Sequence, residues 1–506
     1  MNTMRPPTRR NPRPVPRRAV VDIGSNTVRL VIYGGPLRAP VTLWNEKVAP
    51  QLGSELTSKG AIPEKAMTEA LAALARYRHI VDDLGIEEVD AVATAAAREA
   101  SNGEDFLRRA REIGFAVRLL DGPEEARLSA TGVIAAFRNA RGTVADLGGG
   151  SLELVSIGDG GCGEGTSLPL GTLRLPALRA KQSFAKRIGK MIDKSGWTNG
   201  HGEALYMVGG TWRAFAACAM RARKYPLTDP HSFALPVQEA AALAARIARS
   251  KPQKLIDIRG VSPMRAEKLP DAAALLKVLL AKLEPDRLIF SSWGLREGLI
   301  YDRLDPLEKA RDPLIAAIST FAAQRYATIT DAALLAAWTA DIANGDGGTS
   351  ERLRLAAGQL AIALHRVEPN LRLNYATEWA LDKRWIWIDA RGRAMVCAAL
   401  FGSLGRNSVP DALRELASDD DLREGVAWGL AFRLARQLGA SSKVSLTTSA
   451  LRAKKKNLVL RLDRSREALV TWPVERDLEM LADWLGLQPK VKIGDFSFEE
   501  PEDGED

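Results

Sequence analysis

The sequence predicts an α/β protein in which two related domains flank a cleft, followed by a mainly α-helical domain with a small α/β appendage. Three observations support this. Two strings, Asp22-Ile-Gly-Ser-Asn-Thr-Val-Arg-Leu and Asp146-Leu-Gly-Gly-Gly-Ser-Leu-Glu-Leu, each follow a β-branched run and lead into an apolar one. Each reads as strand, tight turn, strand. Strand and helix patterns then alternate after both strings, so one plan is used twice. Beyond Pro306, Ala, Leu and Arg recur at helical spacing, and strand signals are few until Lys443.

Residues 1–17 form a Pro/Arg tail. The first α/β domain is expected over 18–140. It has strands at Ala19–Asp22 and Val28–Tyr33, then a helix over Pro63–Leu84 with Pro63 in its first turn. A strand at Val89–Thr94 precedes a helix over Asn102–Ile113, capped by Ser101 or Asn102. Strand Ala116–Leu119 and helix Pro123–Arg138 complete it. The second domain, 141–305, opens with strands Thr143–Asp146 and Leu152–Ile157. Strand Ala204–Val208 runs into a helix, further helices lie near 237–249 and 263–283, and strand Asp286–Phe290 leads into a last helix. The helical domain covers 306–440. The appendage, 441–496, has expected strands at Val444–Thr448, Asn457–Arg461 and Ala468–Thr471 and a helix near 474–486. An acidic tail fills 497–506. Both tails have disordered composition.

Composition is that of a globular chain, 46% hydrophobic and 26% charged. No apolar run reaches the ~18 residues a membrane span needs, and no apolar segment follows the first arginines as in a signal peptide. A cytoplasmic protein that does not contact membranes is expected. Cys162, Cys218 and Cys397 read as free thiols. The net charge is +9, and the basic and acidic tails nearly cancel, so the body is basic and suits a polyanion. Aromatics are 6% with no ladder for stacking bases, which argues against a specific nucleic-acid partner. Gly158-Asp-Gly160-Gly161-Cys-Gly163 matches a dinucleotide fingerprint, but no helix follows it, so a hairpin loop is expected there. His79, His201, His231 and His365 lack metal-ligand spacing.

Five short motifs carry chemistry. In the first, Gly24 permits a tight turn, and Ser25, Asn26 and Thr27 add donors to a nest of backbone N–H groups that suits an anion. Asp22 stands where it could orient Mg²⁺; an ordinary Asp-Gly hairpin turn explains the string equally well. In the second, Gly148-Gly149-Gly150-Ser151 is too flexible for plain strand and suits close approach to a ligand. Asp146 and Glu153 flank it; in an unbroken strand they would face opposite ways, but the glycine turn can bring both to the cleft. The third, Gly209-Gly210-Thr211-Trp212-Arg213, opens a helix whose free N–H groups suit an anion, unless Thr211 is only a cap. The fourth, Glu124-Glu125-Ala126-Arg127, sits in a first helical turn, where acids favour the helix dipole or one serves as general base. In the fifth, Arg98 is a phosphate fork or a surface arginine, and Arg265 and Lys268 are further cations.

Together with Thr94–Arg98 and Ser292-Trp-Gly-Leu-Arg296-Glu-Gly298, these motifs resemble the exopolyphosphatase/guanosine pentaphosphatase family of the actin-like superfamily. The resemblance covers about 18–305 and implies two actin-like, ribonuclease H-like domains. It also implies Glu125 as the catalytic base with Glu124 as the alternative. Asp146 and Glu153 match positions tied to metal and water, with Asp22 as a further metal ligand. Asn26, Thr27, Arg98, Gly148, Gly149, Gly150, Ser151, Gly209, Gly210 and Thr211 match phosphate-binding positions. Ala95, Leu152 and Asp271 depart from frequent family residues, and 306–506 lacks the His-Asp doublet of the phosphohydrolase domain in long members.

The implied activity is Mg²⁺- or Mn²⁺-dependent hydrolysis of the terminal anhydride of inorganic polyphosphate, acting processively, with stimulation by K⁺ and a homodimeric state. Lys454-Lys-Lys456, Arg461, Arg464 and Arg466 would hold polymer or simply face solvent. Alternatives are hydrolysis of guanosine pentaphosphate (pppGpp) to ppGpp, phosphate transfer by a related kinase, and a non-catalytic polyanion-binding regulator.

Overall fold

Strands form where β-branched and apolar residues run together, and the two strongest runs become the cores of two sheets. The computed structural model describes residues 17–342 and 348–495; the end tails lie outside the described residues, apart from Arg17. The chain forms two compact units. One comprises the chain up to Phe215 with Ala234–Arg311; the other comprises Ala216–Phe233 with the chain from Asp312 onward.

In the first unit, strands β1 (Arg18–Ile23), β2 (Val28–Gly34), β3 (Val41–Val48), β4 (Glu88–Ala93) and β5 (Val117–Leu119) make a sheet of order β3-β2-β1-β4-β5. A second sheet contains β6 (Gly142–Leu147), β7 (Leu152–Gly158), β8 (Gly161–Leu168), β9 (Ala204–Val208), β10 (Ala234–Pro236) and β11 (Arg287–Phe290), in the order β10-β11-β9-β6-β7-β8. The sheets share a plan: an antiparallel three-strand meander, then parallel pairing of its first strand with a later one. Register places Asp22 opposite Arg29 and Asp146 opposite Glu153. Directly opposed residues share a face, so the hairpin brings the two acids of the second string together despite their odd spacing.

Ala19, Val21, Leu30 and Ile32 face one core with Tyr77 and Phe106, while Val20, Val31 and Val92 face Leu128, Leu299 and Ile300 on the other side. The second face packs on the helices Gly122–Ala136 and Leu295–Asp302. These helices touch backbone to backbone: a Cβ on Gly298 would stand 1.8 Å from the Leu128 carbonyl oxygen.

The second unit contains helices Pro313–Ala323, Ile329–Trp338, Gly348–Leu364, Ala390–Ser403 and Asp419–Gly439. It also holds a sheet of β12 (Ser449–Lys454), β13 (Asn457–Asp463) and β14 (Gln488–Gly494) beside the helix Trp472–Leu485. Two expected strands are corrected. Residues 443–447 are helical because Ser442 caps them, its Oγ accepting from Ser445 N–H at 3.1 Å. Residues 464–469 form a 3-10 turn capped by Asp463. Strands β3, β8, β12 and β14 and the helix Phe184–Lys194 carried no expectation. Among the described residues, no helix is long and apolar enough to cross a membrane.

Candidate active site

The two glycine strings close their hairpins with the same bond. Gly24 N–H donates to the Thr27 carbonyl and Gly148 N–H to the Ser151 carbonyl, each at 3.0 Å. Each turn is then braced from behind. Gly53 N–H donates to Ser25 O at 2.8 Å and Gln51 N–H to Asn26 O at 3.3 Å. Gly171, Thr172 and Leu173 donate to the carbonyls of Gly150, Gly148 and Gly149 at 3.2, 3.0 and 2.9 Å. The braces consume carbonyls and leave amides: among the described residues, the N–H groups of Ser25, Asn26, Gly149 and Gly150 donate to no backbone carbonyl. Free amides beside fixed carbonyls make an anion cradle.

These turns line one cavity of about 230 Å³. Its third wall is Gly209-Gly210-Thr211 with Arg213. Gly209 adopts φ +112°, and a Cβ there would meet Leu147 O at 2.7 Å, so the position requires glycine. The helix Pro263–Leu283 reaches across to the first turn: Lys268 Nζ donates to Asn26 Oδ1 at 2.7 Å, and Asn26 Nδ2 reaches Met264 Sδ at 3.3 Å.

Positive charge crowds this cavity. Arg29, Lys47, Arg213, Arg265, Lys268 and Arg296 all line it. Among the described residues, no carboxylate lies within ion-pair distance of any of the six. Burial, together with Arg265 and Arg296, lowers Arg213 to about 9; burial lowers Arg29 to about 10 and Lys268 to about 8. Burial and like-charged neighbours disfavour the charged forms of Arg29, Arg213 and Lys268, and an anion seated among them would favour those forms.

Carboxylates occupy the same cavity. Glu125 lies in the first turn of the Gly122–Ala136 helix, whose cap Asp121 accepts from Glu124 N–H at 2.7 Å. Burial raises Glu125 to about 7, opposed by Arg98 and assisted by Asp146 and Asp22. Burial also raises Glu153, reinforced by Glu125 and Asp146; Ser167 Oγ donates to its Oε1 at 3.0 Å. Asp146, which accepts from Ser129 Oγ, and Asp22 are both raised by burial.

Asp22, Gly24 through Thr27, Glu125, Asp146, Gly148 through Ser151, Glu153, Gly209 through Thr211, Arg213 and Arg265 all line the cavity. Two expected residues do not. Glu124 is turned outward and pairs with Arg118 at the surface. Arg98 stands behind Glu125 rather than in the wall, donating to the Leu120 carbonyl at 2.7 Å and to Glu125 Oε2 at 3.3 Å. Arg29, Lys47 and Thr172 were not singled out from sequence, although Arg29 lies two residues past Thr27 and opposite Asp22. Among the described residues, no three His, Cys, Asp or Glu side chains converge as a self-sufficient metal cage.

Comparison with known proteins agrees with this geometry. Residues 35–307 match the model of the Ppx/GppA phosphatase family. The chain is 29% identical over 315 residues to exopolyphosphatase 1 of Mycobacterium leprae, covering 57% of this chain and 90% of that protein. It is 25% identical over 313 residues to the guanosine-5'-triphosphate,3'-diphosphate pyrophosphatase of Aliivibrio fischeri, covering 58% of this chain and 60% of that one. The crystal structure of an exopolyphosphatase from Cytophaga hutchinsonii superposes with a TM-score of 0.51 at 26% identity, covering 56% of this chain and 96% of that one.

Proposed function

The chain belongs to the Ppx/GppA phosphatase family, and we propose that within it this protein is a Mg²⁺-dependent exopolyphosphatase that removes orthophosphate from the end of inorganic polyphosphate. It is a phosphoanhydride hydrolase. The observation that carries the narrower reading is one cavity holding two amide cradles, six cations with no ion-pair partner among the described residues, and Glu125, a carboxyl raised to about 7.

The residues divide the work. Amides of the two turns cup the non-bridging oxygens of the last phosphates, and Arg29, Arg213, Arg265 and Lys268 balance their charge. Glu125 accepts a proton from water, whose oxygen attacks the terminal phosphorus in line. The bond from that phosphorus to the bridging oxygen breaks. Orthophosphate departs, and the proton passes to the shortened chain. Mg²⁺ would fit this donor set, because it needs only one or two carboxylates; Asp146 and Glu153, together with Asp22, would hold it. Bound there, it would supply charge neutralisation on the anhydride.

The test is orthophosphate release from long-chain polyphosphate with Mg²⁺, followed together with the lengths of the remaining chains. Steady release with full-length chains persisting supports the reading and processive action. No release at any length overturns it. The Aliivibrio relative favours one second reading, removal of the 5'-terminal phosphate of guanosine pentaphosphate in the same cavity. Competition between the two substrates ranks them.

A further inference from the structure

The second unit contains a cavity of its own, of about 260 Å³. Its floor is apolar and buried: Leu335, Ala361 and Phe432 are at most 3% exposed. Its rim is polar. His365 and Arg366 follow the end of the Gly348–Leu364 helix, Arg436 lies in the last turn of the Asp419–Gly439 helix, and Ser441 follows that helix.

The rim has donors without partners. His365 Nδ1 is buried and, among the described residues, makes no hydrogen bond. Among the described residues, no carboxylate lies within ion-pair distance of Arg366 or Arg436. The acid whose field reaches Arg436 is Asp477, and it is held by Arg433 at 3.0 Å and Arg476 at 3.2 Å. Burial and the positive field of Arg436, Arg372 and Arg433 press His365 down to about 3, so the imidazole is neutral.

Arginines at helix C-termini often do no more than answer the helix dipole. Here that need is met from within. Ala440 and Ser441 both adopt φ +54°, and their N–H groups donate back to Arg436 O at 2.7 Å and Ala435 O at 3.3 Å. At the other helix end, Arg372 donates to the carbonyls of Val367 and His365 at 2.9 and 3.0 Å, and Arg366 and Val367 N–H close onto Ala363 and Leu364. Two consecutive non-glycine residues in the left-handed region carry strain of the kind found at ligand sites. Arg366 and Arg436 are exposed at the rim, and their guanidiniums are therefore open to a ligand from solution.

We propose that this cavity is a binding site for a small organic phosphate, with the phosphoryl group held by Arg366, Arg436 and His365 and the organic body seated on Leu335, Ile362 and Phe432. Two unpaired guanidiniums match a dianion, and a dry apolar floor matches a carbon skeleton rather than a bare ion. The site is independent of the hydrolytic reading.

The test is titration calorimetry of the full chain with phenyl phosphate, which has no phosphoanhydride bond, and with inorganic phosphate alongside. Phenyl phosphate is expected to show a binding event that persists in Arg265→Gln and is tighter than that of inorganic phosphate. Arg366→Gln with Arg436→Gln should weaken it at least about tenfold, since charge-assisted bonds are lost. Ile362→Trp should block it by filling the cavity with the charges intact, and Arg265→Gln, in the other cavity, should leave it unchanged. Wild-type circular dichroism and thermal melting of the rim variants and of Ile362→Trp show that they fold. Absence of binding at millimolar concentration, binding insensitive to both the rim pair and Ile362→Trp, or binding lost only in Arg265→Gln overturns the site. Equal affinity for inorganic phosphate overturns the organic body.

Discussion

Arg98 Nη1 stands 3.3 Å from Glu125 Oε2 while donating to the Leu120 carbonyl at 2.7 Å. The carboxyl assigned as base is therefore held by a cation that is itself anchored to the backbone. Burial pushes Glu125 up to about 7, and Arg98 pulls against it.

Arg98→Met is expected to move the acid limb of the kcat/KM profile to higher pH. The wild-type limb should lie near 7, where Glu125 loses its proton in the free enzyme. Removing a cation that favours the charged form raises that value. A limb that stays still or moves to lower pH would show that Glu125 does not set it.

Glu125→Gln is expected to lower kcat by about 10²–10⁴-fold. It should also stabilise the protein, and the sign can be worked out. The folded value, about 7, lies above the ordinary 4.5, so the folded state favours the proton. Stability is full below 4.5 and falls as pH rises through 7. The glutamine variant should gain on the order of 3 kcal/mol above pH 8 and little at pH 4. Denaturant melts at both pH values check this. Equal differences at the two pH values would falsify the proton linkage.

Lys268→Met is expected to raise KM for polyphosphate more than it changes kcat and to shallow the dependence of KM on salt. Burial holds Lys268 at about 8, so kcat/KM should also show an alkaline limb there. Lys268→Arg should move that limb upward.

Gly171→Ala is expected to damage the second cradle. A Cβ there would lie 2.2 Å from the Gly150 carbonyl carbon and 2.3 Å from Gly149 O. Displacing that brace should cost ~1–3 kcal/mol of stability and raise KM, with thermal melting and kinetics read together. Wild-type KM in a folded variant would refute the bracing role.

The second cradle was legible because Gly148-Gly149-Gly150 is too flexible for plain strand, and the first gained weight from repeating its plan. Asp22, Asp146 and Glu153 were legible as flanking acids, although only the β6–β7 register explains how the last two come to face one way. The cations were harder to find. Arg29, Lys47, Arg213, Arg265, Lys268 and Arg296 converge from β2, β3, three helices and their approaches, so nothing in their local spacing marks them as a group. The residue pattern alone does not separate Glu124 from Glu125; the family resemblance favours Glu125, and the helix phase puts Glu124 against Arg118 and Glu125 in the cavity. Strand β3 escaped notice because its residues are largely exposed, leaving no alternation to read. Val444 reads as strand by propensity, but a Ser442 cap overrides it.

The shared hairpin closure has a consequence for direction. The two halves carry matching turns, and Asp22 and Asp146 hold matching places, but opposite them stand Arg29 and Glu153. A linear phosphate polymer reads the same from either end, and a cleft with a true dyad would give it no sense of forward. Arginine opposite Asp22 and glutamate opposite Asp146 break that dyad, so the charge beside one turn differs from the charge beside the other.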